Sequence, residues 1–359
     1  MKKAIIFFLL VGYILHGCSK QDKYSPPVGS INELENGWAV PLDQLVISLL
    51  PADRIKSIDT PTFEIVANSN LRSNDAVYAY RYADTVKIYP QRILSKHEIV
   101  NDRIGNHYFA ITYCPLTGSA IAWNREINGE VSEFGVSGHL YNENLIAYDR
   151  NGNSYWSQML LEGIKGNSEG DNLKNSMLLF TSGETIKKSY PDALILVDST
   201  DSICNDSICG FKQGSDYGNP DENEITNLLT GGNYFGVVNT GILNGGQGAL
   251  LFSYDDFNDS ISIYQTNYKN SRLIVIGSSS LQFIVAFIDK SSNSEIHFNA
   301  IQNSLPTIFE DNQGNNYDIT GLIISGPSAG IQLPSPIAYT ANSYAWELFF
   351  GNGIQVFKN

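Results

Sequence analysis

YFAITYCPLTGSAIAWNR, residues 108–125, decides the fold. Tyr108 to Tyr113 and Ser119 to Arg125 are short runs rich in β-branched, aromatic and small residues. Between them, Cys114-Pro115-Leu116-Thr117-Gly118 supplies the proline and glycine that punctuate a turn. The stretch therefore predicts two strands joined by a tight corner. Cys114 falls at the end of the first strand, where a turn can expose a sulfur and set backbone N–H groups beside it.

The same pattern continues on both sides. Asp75 to Tyr82 and Thr85 to Tyr89 read as strands, and Gln91 to Val100 places Ile93, Leu94, His97 and Val100 on one helical face. Val40 to Leu50 also has helical spacing, before Thr60-Pro61 turns the chain toward an extended segment. Downstream, Asp149-Arg150-Asn151-Gly152-Asn153-Ser154-Tyr155 is echoed by Asp311-Asn312-Gln313-Gly314-Asn315-Asn316-Tyr317. A strand-like pair precedes each copy, and a short helix-like segment with a last strand follows each, ending at Ala193 to Val197 and at Gly353 to Phe357. The expected fold is α+β, mainly β: two degenerate copies of a β-rich unit packed together, with short helices between strands. Residues 38–200 form the first lobe and 201–359 the second, joined near Cys204 to Asn223.

The N-terminus carries a separate message. Met1-Lys2-Lys3 precedes an apolar run from Ala4 to Leu15 and then Leu15-His16-Gly17-Cys18. That run is shorter than the roughly 20 residues a spanning helix needs, so residues 1–17 read as a cleaved signal peptide. A small residue before Cys18 is similar to the lipoprotein signal, which makes Cys18 the expected lipidation site and a membrane the expected partner. Residues 18–37, with Pro26-Pro27 and Gly29, read as a tether. The expected location is the cell envelope outside the cytoplasm, at the outer membrane or cell surface. A formal charge of −14 without any basic block argues against nucleic acid as a partner. Cys204 and Cys209, in a polar turn-like segment, are expected to close a small disulfide, ahead of a metal pair or two free thiols.

Cys114 is then left over, and His97 lies on the helix-like segment before it. A nearby imidazole would lower the thiol pKa or share a soft metal such as copper with the sulfur. The alternative is an inert buried cysteine. Asp149 and Arg150 are adjacent on a strand and point to opposite faces, so one pocket is not expected to hold both; Arg150 grips an anion or forms a structural ion pair. Trp156 and Gln158, two apart, share a strand face and offer an aromatic wall beside an amide, or else Trp156 fills the core. Ser137 lacks a Gly-x-Ser-x-Gly setting and is kept only as a ligand contact. No dinucleotide fingerprint, phosphate loop or His-Glu-x-x-His is present.

The chain resembles a bacterial family, the domain of unknown function 3179. The resemblance rests on DRIKSIDTPTFEIV, ILSKHEIVND, ITYCPLTGSAIAWNR, EFGVSGHLYNENLIAYDR and SYWSQMLLEGIKG, in that order, and is specific from about Trp38 to Val197. Thr117 stands where many relatives carry a second cysteine, so a shared dithiol is not implied. The resemblance implies a site without a reaction. Three readings follow: an exported lipoprotein with a small-molecule or metal site around Cys114 and His97; a thiol-dependent enzyme using Cys114 as nucleophile or redox thiol with His97 as base; or a structural envelope protein.

Overall fold

The computed structural model describes residues 37–198, 232–239, 248–290 and 296–358. Among the described residues 49% are strand and 12% helix, which makes this a β-rich protein with a few short helices. Among the described residues no helix is long and apolar enough to cross a membrane.

The hairpin read from residues 108–125 is present. His107–Cys114 pairs antiparallel with Ser119–Asn124, from Phe109 opposite Asn124 to Cys114 opposite Ser119. Both faces of this hairpin are covered, which explains its continuous apolar composition where a half-solvated strand would alternate. Phe109, Ile111, Tyr113, Ala120 and Ala122 enter one core, while Ala110, Cys114, Ile121 and Trp123 enter the other. The hairpin is the wall between two cores.

It also bridges distant sequence. A large sheet runs in the order Ile354–Val356, Gly248–Ser253, Asn233–Asn239, Ala338–Asn342, Ser119–Asn124, His107–Cys114, Ile99–Ile104. Thr340 opposite Ala120 is the junction. The stretches 38–200 and 201–359 therefore share one sheet, where the sequence suggests two lobes side by side. The pairing order itself recurs. Leu179–Ser182 is antiparallel to Ala76–Tyr82 and Leu194–Val197 parallel to Thr85–Pro90. In the same way, Ala338–Asn342 is antiparallel to Asn233–Asn239 and Ile354–Val356 parallel to Gly248–Ser253.

One helix expectation is corrected. Val40 to Leu50 is a single 3-10 turn, Leu42–Gln44, followed by the edge strand Leu45–Val46 beside Phe134–Tyr141. Pairing of Leu45 and Val46 with Tyr141 and Leu140 holds the middle of the segment extended, and this overrides its helical spacing. The helix read from Gln91 ends at His97, and the chain turns at Glu98 into the Ile99–Ile104 strand.

Candidate functional site

Cys114 lies at the end of its strand, buried at 2% exposure, with its sulfur 3.8 Å from the Glu143 carbonyl oxygen. Glu143 and Asn142 both have positive φ and form the tight turn between Phe134–Tyr141 and Asn144–Asp149. Opposite them stands Glu98. Its φ of 58° is uncommon for a residue with a side chain and costs of order 1 kcal/mol. Two backbone bonds hold it there: Glu98 N–H donates to the Leu94 carbonyl at 2.7 Å, and Tyr113 N–H donates to the Glu98 carbonyl at 2.7 Å. The bend sets Glu98 beside Tyr113, the residue before Cys114, and the Glu98 charge raises the Cys114 thiol.

The electrostatics follow from that placement. Burial pushes the Glu98 carboxyl up to about 8. Burial, and then the Glu98 charge, push the Cys114 thiol up, while the Thr117 hydroxyl and the backbone N–H groups of Thr117 and Leu145 favour the thiolate. The second hairpin provides an internal comparison. Ser278 opposite Phe283 occupies the register position that Cys114 opposite Ser119 holds in the first. The Ser278 hydroxyl donates to the Asp259 carbonyl at 2.8 Å and accepts from Leu281 N–H at 3.2 Å. One corner thus carries a hydroxyl with both roles satisfied, and the other a thiol 3.8 Å from the Glu143 carbonyl oxygen.

His97 does not serve this corner. Its Nδ1 is 2.8 Å from the Lys56 carbonyl oxygen and its Nε2 is 3.6 Å from an Asp198 carboxylate oxygen. The place expected for the imidazole is taken by Glu98, the next residue. Among the described residues, no group of three or more His, Cys, Asp and Glu side chains is gathered as for a metal ion. Cys18, Cys204 and Cys209 lie outside the described residues.

Gln158, expected on a ligand-facing wall, lies inside the protein. Its Oε1 accepts from Ser119 Oγ at 2.6 Å and Asn144 Nδ2 at 2.7 Å, and its Nε2 donates to Thr112 Oγ1 at 3.0 Å and the Ser119 carbonyl at 3.2 Å. Asn144 Nδ2 also reaches Thr117 Oγ1 at 2.9 Å, and the Thr117 and Ser119 hydroxyls are 2.8 Å apart. Every polar atom of the Gln158 side chain is paired, as burial requires. This network holds the loop below Cys114.

Trp156 is fully buried, and its indole N–H donates to Asp149 Oδ2 at 2.8 Å. The other Asp149 oxygen accepts the Gly152 N–H. The echo at Asp311 works alike: one oxygen accepts the N–H groups of Gln313 and Asn315, and the other accepts from Asn315 Nδ2 and the Tyr317 hydroxyl. In both places a buried aspartate pins a turn and anchors an aromatic ring. Ser137 donates to the Ile146 carbonyl at 2.5 Å and accepts His139 N–H at 3.0 Å, which fixes the bulge between Val136 and Leu140.

Arg150 points the other way from Asp149, as alternation requires. It contacts Asp59 at 2.7 Å, Glu133 at 3.1 Å, Asp53 at 3.2 Å and the Ser57 hydroxyl at 2.9 Å. The Tyr148 hydroxyl joins by donating to Asp53. The arginine clamps the segment 53–59 onto the sheet and has no spare fork for an anion. Arg150→Gln is expected to cost about 1–2 kcal/mol, since the cluster is part exposed, and to raise hydrogen exchange at residues 53–59. Arg150→Lys should recover less than half of that protection, because an ammonium cannot fork to several carboxylates.

A β-rich protein with a buried thiol at a hairpin corner, and with its other motif residues engaged in internal hydrogen bonds and ion pairs, is the class the geometry defines. Residues 52–228 match the model of a family described as protein of unknown function (DUF3179), and the chain belongs to that family through this segment. No curated protein and no solved structure matches it.

Proposed function

We propose that this chain is an exported lipoprotein, held to the envelope by lipid on Cys18, whose folded part works through the Cys114 thiol with Glu98 as its proton partner. The observation that carries this reading is backbone placement: Glu98 accepts the Tyr113 N–H at 2.7 Å, one residue before Cys114, where Ile99–Ile104 runs beside His107–Cys114. In that pair the carboxylate accepts the thiol proton, and the thiolate is held by the Thr117 hydroxyl and two backbone N–H groups. The transfer is uphill at rest, because the thiol is the weaker acid. A ligand that brings positive charge to the sulfur lowers that cost.

A structural envelope protein is the second reading, favoured by the internal pairing of Asp149, Arg150, Trp156, Ser137 and Gln158. Iodoacetamide labelling of the folded protein, read on the peptide that contains Cys114, separates the two. The thiol reading expects labelling that rises with pH and is several-fold faster at pH 8 in Glu98→Gln, where the repelling charge is gone. A Cys114 that labels only after denaturation, with Glu98→Gln indistinguishable from the parent, leaves the structural reading.

A further inference from the structure

The corner that holds Cys114 is framed by exposed apolar side chains. Leu42, Val46, Leu116, Tyr344 and Leu348 are each 36–49% exposed. They lie on three segments tied to one another beside the thiol. Asn142 N–H donates to the Gln44 carbonyl at 2.9 Å, and Asn142 Nδ2 donates to the Leu348 carbonyl at 3.0 Å. Val46 sits opposite Leu140, next to Tyr141, whose ring meets Phe349 at 5.3 Å. Tyr344 and Leu348 are four apart on the Ser343–Phe350 helix and so share a face, and the Tyr344 hydroxyl donates to the Leu116 carbonyl. Leu116 is two residues from Cys114, and the Glu143 carbonyl over the sulfur adjoins Asn142.

The charge on this face has one sign. Asp43, Glu143 and Glu347 are exposed around it. Residues 38–53, 114–119, 141–144 and 342–350 contain no lysine or arginine. A second copy of the chain or an anionic bilayer would bring like charge against these carboxylates, which weakens association. A cationic partner would be drawn in, and contiguous apolar surface rimmed by charge is how protein interfaces are built.

We infer that this face docks a polypeptide segment presenting apolar side chains flanked by lysine or arginine, and that docking brings the segment to Cys114. The docking stands on the face alone; only its link to the thiol rests on the function proposed above.

The test uses the full-length protein and two short fluorescent probes, one of leucine and lysine and one of leucine and glutamate in the same order. Anisotropy should show the lysine probe binding at least about tenfold more tightly, with affinity falling as salt rises. Leu348→Ser and Val46→Ser should each weaken it about tenfold, the effect of removing one buried aliphatic contact. Glu347→Lys should weaken it more than Glu64→Lys, which makes the same charge change on the Thr62–Ile65 strand of another sheet. Equal affinity for the two probes, or equal losses in Glu347→Lys and Glu64→Lys, overturns the docking proposal. Failure of Cys114 labelling with these binding differences intact instead removes the thiol function and leaves the docking face.

Discussion

Gln158→Ala is expected to lower the free energy of unfolding by about 3–5 kcal/mol, through a cavity and through polar partners left without a mate inside the protein. The side chain is fully buried and bonds Ser119, Asn144 and Thr112 from three separate strands. Gln158→Leu should restore the volume and only that part of the loss. Equilibrium denaturation in urea measures both variants. The network also passes through Thr117, whose hydroxyl and N–H reach Cys114, so Gln158→Ala should speed alkylation of Cys114 as the corner loosens. A change below about 1 kcal/mol would mean that water replaces the amide without penalty, and the network could not then be what holds the corner.

Glu98→Gln is expected to change the pH dependence of stability more than any other single substitution. The Glu98 carboxyl is raised from an ordinary 4.5 to about 8. Its contribution is fully present below the unfolded pKa and is lost as pH rises toward and through 8, because the unfolded chain releases the proton first. The side chain is part exposed, so this group makes the protein less stable at pH 8 than at pH 5 by about 2–3 kcal/mol, short of the full linkage value. His139 opposes it at lower pH. Burial, and then the Lys165 charge, lower its imidazole from 6.5 to about 4, so its contribution is lost as pH falls through that interval. The two slopes offset each other between roughly pH 4.5 and 6.5, and the Glu98 slope stands alone above. Urea midpoints at pH 5, 6.5 and 8 should therefore coincide for parent and Glu98→Gln at the acid end and diverge at the alkaline end, with the variant more stable. Parallel profiles would place the Glu98 carboxyl in water and away from the thiol.

Much of this architecture is legible in the sequence. Strands carried by continuous apolar runs, such as Tyr108 to Tyr113, announce themselves because burial on two faces leaves no room for polar residues. The echo between Asp149 and Asp311 is visible because a turn-pinning aspartate needs particular neighbours at fixed offsets. Spacing makes Trp156 and Gln158 one ligand wall, yet Trp156 fills a core and Gln158 lies just past the end of the Tyr155–Ser157 strand, within a polar network. Strand alternation assigns a face and does not say whether protein or solvent covers it. The placement of Glu98 instead of His97 beside the sulfur is out of reach for a sharper reason. Which of two adjacent side chains turns inward depends on the φ of one residue, and nothing local in His97-Glu98-Ile99 marks a left-handed conformation. At the short Leu42–Gln44 turn, apolar spacing suggests a helix, and the pairing of Leu45 and Val46 with a distant strand overrides it.

The junction at Thr340 and Ala120 has a bearing on what counts as a unit of this protein. The loop that shapes the Cys114 corner receives Asn342 N–H at the Thr117 carbonyl, and a side chain added at Gly118 would lie 2.7 Å from the Asn342 amide oxygen. The environment of Cys114 is thus finished by residues more than 200 positions later, whereas the family match stops at 228. A fragment trimmed to the matched stretch would present an open sheet margin, prone to self-association, where the Ala338–Asn342 strand belongs. During synthesis, the corner cannot close until Asn342 has emerged.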